Sequence, residues 1–71
     1  MKAFVAGATG QTGQRIVKEL VTRGIPVRAL VRDLAAARSI LPTEAELVVG
    51  DVLDPKTLAS AIGDSTVVLC A

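Results

Sequence analysis

The stretch VAGATGQTGQRIV, from Val5 to Val17, decides how this sequence folds. Its three glycines, Gly7, Gly10 and Gly13, stand three residues apart between an apolar run and an amphipathic segment. A strand, a glycine-rich turn and a helix together form an anion site, because the helix N-terminus offers unpaired N–H groups and a partial positive charge. The pattern therefore predicts a phosphate-binding turn near the start of the chain.

Each glycine of this turn has its own predicted use. Gly7 permits the tight turn out of the strand, and Gly10 has no side chain to block a pyrophosphate. Gly13 lets the helix pack closely on the first strand. Three polar residues complete the predicted site: Thr9, Gln11 and Thr12. The two threonines can add hydroxyl donors, and the glutamine is expected on the outer side of the turn.

The spacing of the glycines helps to distinguish between classes of nucleotide-binding turn. It is G-x-x-G-x-x-G rather than the standard dinucleotide pattern G-x-G-x-x-G. A Walker A loop is disfavoured, because the helix opens with Gln14-Arg15 and no Gly-Lys-Ser/Thr follows at the required distance. A turn that only connects a strand to a helix remains the alternative. The position of the turn, at the first strand–helix junction of a βαβ pattern, favours dinucleotide binding.

The rest of the chain alternates short apolar strands with helices. Strands are predicted over Lys2–Ala6, Val27–Arg32, Glu46–Gly50 and Thr66–Cys70. Helices are predicted over Thr12–Arg23 and Leu34–Ser39, and a third follows Asp54-Pro55 and is stopped by Gly63. The order β-α-β-α-β-α-β indicates an α/β fold, a Rossmann-type doubly wound parallel sheet. Its fourth strand would be an exposed apolar edge, so we expect residues 1–71 to be the N-terminal part of one longer NAD(P)-binding domain.

Local signals mark the ends of the predicted helices. Asp33 and Asp54 are expected to cap the second and third helices, and Pro55 suits the first helical position. Gly24 is a good residue to follow the first helix.

Composition excludes several classes of protein. The 71 residues are 51% hydrophobic, with Phe4 as the only aromatic, which is the aliphatic signature of a buried parallel sheet. The net charge of +1 gives no reason to expect nucleic acid as a partner. Neither a membrane-spanning run nor a signal-peptide segment is found. We expect a cytosolic protein, or an organellar one if a transit peptide has been removed, and the single cysteine, Cys70, fits a reducing compartment.

The end of the second predicted strand bears on the choice between NADP and NAD. NAD-binding domains hold the ribose 2′-hydroxyl with an acid here, whereas an arginine suits a 2′-phosphate. The segment LVRD places Arg32 at the strand end and Asp33 just after it. Arg38, on the next helix, can close over the same phosphate or stack on adenine. NADP is favoured over NAD, although both arginines are alternatively plain surface charges, and an Asp33 that reached the ribose would favour NAD.

Two further segments are expected beside the adenosine half of the cofactor. In GDVLD, Asp51 follows the third strand and can accept a hydrogen bond from the adenine amino group, with Val52 packing nearby. The alternative for Asp51 is a turn aspartate. Cys70 and Ala71 end the fourth strand, where small residues let the cofactor pass. Cys70 is expected to be a buried apolar residue rather than a nucleophile, because the sequence has no histidine to activate it.

Together these segments resemble the atypical short-chain dehydrogenase/reductase family, and within it the NmrA-like NAD(P)H-binding branch. GATGQTG is similar to the family's GATGxxG turn, VRALVRD to its second strand with an NADP-selecting arginine, and GDVLD to its adenine-side segment. The similarity extends over the whole chain. It implies an NADP(H)-binding Rossmann domain whose cofactor contacts are made by Gly7, Gly10, Gly13, Arg32 and Asp51.

One departure from the family leaves the function open. Catalytic members use a Tyr-x-x-x-Lys pair, but this sequence has no tyrosine and no histidine, so we predict no catalytic residues in it. No metal ligands are predicted either. The first hypothesis is the cofactor-binding portion of a reductase, epimerase or dehydratase for an unknown small molecule, with catalytic residues beyond Ala71. The second is a non-catalytic NADP(H) sensor or assembly factor. A methyltransferase is disfavoured, because such enzymes prefer an acid where Arg32 stands.

Overall fold

A computed structural model describes residues 2–70 of the protein. Its strands are β1 (Ala3–Ala6), β2 (Val27–Val31), β3 (Glu46–Val49) and β4 (Val67–Cys70). Its helices are α1 (Gln11–Thr22), α2 (Leu34–Ile40) and α3 (Pro55–Ile62). The predicted alternation of strands and helices is confirmed. The prediction that Ala71 borders the cofactor lies outside the described residues.

The four strands form one parallel sheet in the order β3-β2-β1-β4. β1 lies inside the sheet, where Ala3 is opposite both Val27 of β2 and Val67 of β4. The chain first builds outward from β1 to β3 and then crosses back to place β4 on the other side of β1. The strand order therefore reverses between β1 and β4. In open α/β sheets, ligands bind outside the carboxyl ends of the strands at such a reversal.

β1 is buried on both faces, because successive side chains of a strand point to opposite sides of the sheet. On one face, Val5 packs in a cluster with Val17 of α1 and Ala37 of α2. On the other face, Phe4 packs in a cluster with Ala61 of α3. Helices on both sides of the sheet explain why the strand is continuously apolar rather than alternating with polar residues.

Several element ends differ by one residue from the prediction. Lys2 and Thr66 precede β1 and β4, where the backbone N–H of Lys2 donates to the Thr66 hydroxyl at 3.0 Å. Arg32 and Gly50 follow the last residues of β2 and β3. α1 begins and ends one residue earlier than predicted, and α2 continues one residue further. At the strand ends the hydrogen-bond partners come from elsewhere in the chain, as with Lys2 and Thr66 or Gly50 and Val31, so local patterns do not specify those ends.

The predicted capping residues are confirmed. The carboxylate of Asp33 accepts the N–H of Ala36 at 3.1 Å, and that of Asp54 accepts the N–H of Lys56 at 3.0 Å. Gly24 follows α1 with a φ of 75°, in the left-handed region. The helix termini are therefore set by residues at those termini.

Arg28 of β2 ties three elements together at the amino ends of the strands. Its guanidinium donates to the Glu46 carboxylate at 2.9 Å and to the Ala61 carbonyl oxygen, near the end of α3, at 3.0 Å. Lys2 pairs with the same glutamate, and Asp64 lies within 3.9 Å of Lys2 and 3.6 Å of Arg28. The Arg28 side chain is only 15% exposed. The sequence pattern identified Arg28 as a strand residue and gave no sign of this network.

Two kinds of feature are missing from residues 2–70. None of the helices in that range combines the length and the apolar character needed to cross a bilayer. Across the same residues, no group of three His, Cys, Asp or Glu side chains is placed to hold a metal ion.

Candidate functional site

The loop from β1 to α1 is a tight turn built on Gly7. This residue has a φ of 74°, a conformation that residues with a side chain rarely adopt. The N–H of Gly10 donates to the Gly7 carbonyl oxygen at 3.2 Å and closes the turn. Gly7 thus has the structural role predicted for it.

Gly13 brings α1 against this turn. A Cβ at Gly13 would overlap the Gly7 carbonyl oxygen and lie 2.8 Å from the Cα of Ala8. Both obstacles are backbone groups, which cannot rotate away as a flexible side chain can. The close approach predicted for Gly13 is therefore present, with the turn after β1 as the surface it contacts.

Gly10 is not explained by packing in the same way. Its φ of −73° and ψ of 166° are open to any residue. A Cβ there would meet only the Gly7 carbonyl oxygen, at an ordinary contact distance of 3.6 Å. The fold therefore leaves space above Gly10, which fits a ligand that approaches the backbone closely.

The first turn of α1 offers free hydrogen-bond donors. The first helical bond is donated by Gln14 to the Gly10 carbonyl oxygen at 2.9 Å. Gly10 provides no side-chain cap. Within residues 2–70, the three preceding N–H groups have no protein acceptor: those of Gln11, Thr12 and Gly13. These donors, with the positive end of the helix dipole, fit phosphate oxygens.

The side chains around these donors leave the turn open on its outer side. Thr9, Gln11 and Thr12 are all exposed. The Gln14 side-chain amide donates to the Thr9 carbonyl oxygen at 2.7 Å and holds the turn against the helix. A role for Gln14 was not predicted, and its position in the first turn of an uncapped helix was the available signal.

The turn lies where the strand order reverses. Ala6 at the end of β1 is opposite Cys70 at the end of β4, so the two strands end side by side just before Gly7. Cys70 is exposed here rather than buried, so the burial predicted for it is wrong. Its strand is at the edge of the sheet, and residues 2–70 supply nothing that covers that position.

A second part of the site joins the ends of β2 and β3. The Arg32 guanidinium donates to Oδ2 of Asp51 at 3.1 Å, and the two side chains are 75% and 43% exposed. Arg32 follows β2 and Asp51 lies two residues beyond β3, so both stand at the carboxyl edge of the sheet, as does the glycine turn. The sequence predicted both residues for the site but not their contact.

Asp51 is held firmly for a surface residue. Its Oδ1 accepts the N–H of Leu53 at 2.9 Å. This bond lowers the pKa of Asp51 from its ordinary value of 3.8, and the Arg32 charge lowers it further, against an opposing effect of desolvation. Asp51 is therefore ionised at neutral pH, which suits an acceptor for arginine or for an adenine amino group.

Thr57 of α3 fixes the backbone of Asp51, a role that was not predicted. Its hydroxyl lies 3.2 Å from the Asp51 carbonyl oxygen and 3.4 Å from the Asp51 nitrogen. It also contacts the carbonyl oxygen of Asp54 at 3.1 Å. Its position three residues after the N-cap Asp54 was the available signal, because a polar side chain there can reach back to the preceding loop.

Two apolar side chains extend the loop after β3. Val52 is 51% exposed and Leu53 is 80% exposed. Both follow Asp51 directly, so an apolar surface lies next to the ion pair. Such a surface suits the flat, apolar face of a base, and the packing of Val52 beside adenine stays a prediction.

Arg38 lies apart from the Arg32–Asp51 pair. It is in the last turn of α2, which runs back from the end of β2 towards the start of β3. It borders a cavity of about 170 Å³ together with Pro42 and Leu47. Within residues 2–70, no hydrogen bond or ion pair joins it to Arg32 or Asp51. Its predicted contact with the same phosphate as Arg32 gains no support from this position and stays a prediction.

Comparison with known proteins agrees with this geometry. A family model described as NAD(P)H-binding matches residues 7–71, from Gly7 of the turn to the end of the chain.

Curated relatives extend the comparison. The chain is 49% identical over 74 residues to an uncharacterized chloroplastic protein of Arabidopsis thaliana, covering 99% of this chain and 26% of that protein. It is 39% identical over 60 residues to the NAD(P)H azoreductase of Xenophilus azovorans, covering 84% of this chain and 21% of that protein. It is 33% identical over 69 residues to a photosystem II assembly factor of Trieres chinensis, covering 97% of this chain and 22% of that protein. The chain thus spans only about a quarter of the length of these relatives.

A solved structure shares the fold. A short-chain dehydrogenase/reductase superfamily protein from Agrobacterium tumefaciens, determined with bound NAD, is 30% identical to the chain with a TM-score of 0.80. The comparison covers 100% of this chain and 20% of that one. The chain therefore belongs to the NAD(P)H-binding family and has the Rossmann-type fold of short-chain dehydrogenase/reductase proteins.

Proposed function

We propose that the chain binds NADP(H) in preference to NAD(H), as the cofactor-binding portion of an oxidoreductase that transfers hydride to or from a small molecule. The observation that carries the proposal is the exposed guanidinium of Arg32, at the same edge of the sheet as the glycine turn. One of its terminal nitrogens bonds Asp51. Within residues 2–70 its other N–H groups have no acceptor, so they are free to grip a 2′-phosphate in a bidentate way.

The glycine turn is the proposed site of the pyrophosphate. Gly7 shapes the turn, Gly13 brings the helix N-terminus to it, and Gly10 leaves room for the phosphates. The free N–H groups of the first helical turn donate to the phosphate oxygens. Two hydroxyls and one amide complete this part of the site: those of Thr9, Thr12 and Gln11.

The adenosine half is proposed to lie along the ends of β2, β3 and β4. Asp51 and Val52 border the adenine, and Ala71 lets the cofactor pass. Arg38 is proposed as a second arginine that closes over the 2′-phosphate or stacks on adenine, to be tested separately from Arg32.

When bound, the nicotinamide supplies the hydride chemistry. The residues of this chain bind and orient the cofactor. The sequence has no tyrosine and no histidine, and the relatives are about four times as long, so we propose that residues 1–71 form the N-terminal part of one NAD(P)-binding domain. The residues that act on the substrate would then lie beyond Ala71.

A coenzyme titration of the full-length protein tests this proposal. Protein fluorescence, or that of the reduced nicotinamide, reports the dissociation constants of NADPH and NADH. We expect NADPH to bind at least about tenfold more tightly, because a charge-assisted hydrogen bond is worth about 1.5–3 kcal/mol. In Arg32→Ala, NADPH affinity should fall to that of NADH. Equal loss for both coenzymes would remove the assignment of Arg32 to the 2′-phosphate.

A non-catalytic NADP(H) sensor or assembly factor is the second candidate. It is favoured by the 33% identity to a photosystem II assembly factor. Turnover of NADPH distinguishes the two candidates. An enzyme oxidises NADPH with a small carbonyl or quinone acceptor, and a Tyr-x-x-x-Lys pair would be found in the full-length sequence. A sensor binds NADPH without consuming it and lacks that pair.

The location of the protein is also a proposal. The relative with 49% identity is chloroplastic by name, which favours the organellar alternative over the cytosolic one. Fractionation of the source cells with an antibody to the protein distinguishes the two.

A further inference from the structure

Asp51 is held on three sides. Thr57 contacts its backbone nitrogen and carbonyl oxygen. The N–H of Leu53 donates to Oδ1, and Arg32 donates to Oδ2. With its backbone and one carboxylate oxygen fixed by neighbouring residues, Asp51 has little freedom to move.

Arg32, by contrast, is held by Asp51 alone among residues 2–70. Its side chain is 75% exposed, and within residues 2–70 its one hydrogen bond goes to that carboxylate. A long side chain loses rotamer freedom when it grips a ligand, and this loss weakens binding. A fixed carboxylate that already restrains the guanidinium reduces the loss.

We propose that Asp51 is a positioning residue that sets the coenzyme preference by holding Arg32 ready for a 2′-phosphate. The inference rests on the proposed function, since it concerns the same NADP(H) site. Asp51 takes up one terminal nitrogen of the guanidinium and leaves the others available for the phosphate. Thr57 and Leu53 act one step further away by fixing Asp51.

This role is distinguishable from the adenine contact predicted for Asp51. Adenine is common to NADPH and NADH, so a contact with it changes both affinities by the same factor. Positioning of Arg32 changes the affinity for NADPH alone. Repulsion between the carboxylate and the 2′-phosphate would have the opposite sign, because its removal would strengthen NADPH binding.

The test compares the full-length protein with its Asp51→Asn variant in NADPH and NADH titrations. Asparagine keeps the shape and an oxygen for the Leu53 N–H but loses the charge that holds Arg32. We expect the ratio of NADPH affinity to NADH affinity to fall about three- to fivefold, the upper part of the range for an exposed ion pair, because any change at the adenine affects both coenzymes equally. A cooperative thermal unfolding transition like that of the wild type establishes that the variant is folded. An affinity ratio that stays constant or rises overturns the proposal.

Asp54→Asn is the matched control. It removes the same charge from the same loop, and asparagine caps a helix as well as aspartate does. Within residues 2–70, no hydrogen bond or ion pair joins Asp54 to Arg32, so the coenzyme ratio should stay at the wild-type value. A fall equal to that of Asp51→Asn would assign the effect to net charge and overturn positioning.

A double variant separates failure of this inference from failure of the proposed function. In an Arg32→Ala background, Asp51→Asn should leave the coenzyme ratio unchanged, because the residue that it positions is gone. A wild-type protein without NADPH preference overturns both proposals. A wild-type preference that Arg32→Ala abolishes and Asp51→Asn preserves overturns only the positioning role.

Discussion

Gly13 lies so close to the carbonyl oxygen of Gly7 that a Cβ on Gly13 would overlap that oxygen. A Cβ on Gly10 would meet only that same oxygen, at an ordinary contact distance of 3.6 Å. The two glycines therefore have different physical reasons to be glycine. Gly13 serves the packing of the protein itself, and Gly10 leaves room for something else.

Gly13→Ala should destabilise the fold. Alanine is preferred over glycine within a helix by up to about 1 kcal/mol. The new methyl group would still have to push α1 away from rigid backbone, and overpacking of this kind costs about 1–3 kcal/mol. The clash should outweigh the gain, because neither backbone group can rotate aside. Urea unfolding of the full-length protein measures the difference, and an unchanged free energy of unfolding would mean that the turn yields easily.

Gly10→Ala should separate stability from binding. Alanine is a poorer N-cap than glycine by less than about 1 kcal/mol, and its Cβ meets no clash, so the protein should remain folded. If a pyrophosphate lies over this residue, the methyl group should reduce the affinities for NADPH and NADH together, by about tenfold for each 1.4 kcal/mol lost. Titration of both coenzymes gives the result. Wild-type affinities in this variant would argue against a phosphate at Gly10.

Arg28→Ala should destabilise the protein without involving the cofactor edge. It removes charged hydrogen bonds to Glu46 and to the end of α3, at a cost of about 1.5–3 kcal/mol. Arg23→Ala is the matched control, because its ion pair with Glu19 at 2.8 Å is exposed on both sides and is worth less than about 0.5 kcal/mol. Chemical unfolding compares the two variants. Equal losses would show that the Arg28 network adds no more than a surface pair.

The pKa of Asp51 predicts a pH dependence of stability. The Leu53 N–H and the Arg32 charge lower this pKa below 3.8 in the folded state. The ionised carboxylate therefore stabilises the fold above the unfolded pKa, and this stabilisation is lost as pH falls through the folded pKa. Thermal unfolding between about pH 6 and 3 should show a steeper acid decline for wild type than for Asp51→Asn. Parallel curves would contradict the lowered pKa.

The fold was predictable because its signals are local. Apolar periodicity, Asp33 and Asp54 as caps, and Gly24 as a terminator each act within a few residues, and together they specify the alternating strands and helices. The element ends were less predictable. The start of β1, for example, is organised by a bond between Lys2 and Thr66, which are 64 positions apart.

The candidate site was predictable residue by residue but not as a set of contacts. Gly7 and Gly13 have the structural roles expected of their positions in the turn. The Arg32–Asp51 pair joins residues 19 positions apart on separate loops, and no sequence pattern records such a contact. Arg28 was missed for the same reason, since its partners Glu46 and Ala61 come near only in the folded chain. Thr57 differs, because it acts on the loop just before its own helix and had a local signal.

A crystal structure of the full-length protein with NADP⁺ bound is the most direct test of NADP(H) recognition. A 2′-phosphate oxygen should lie about 2.7–3.2 Å from the Arg32 guanidinium, with the pyrophosphate at the free N–H groups of the first turn of α1. Electron density with the 2′-phosphate in solvent and the ribose on Asp33 would contradict it.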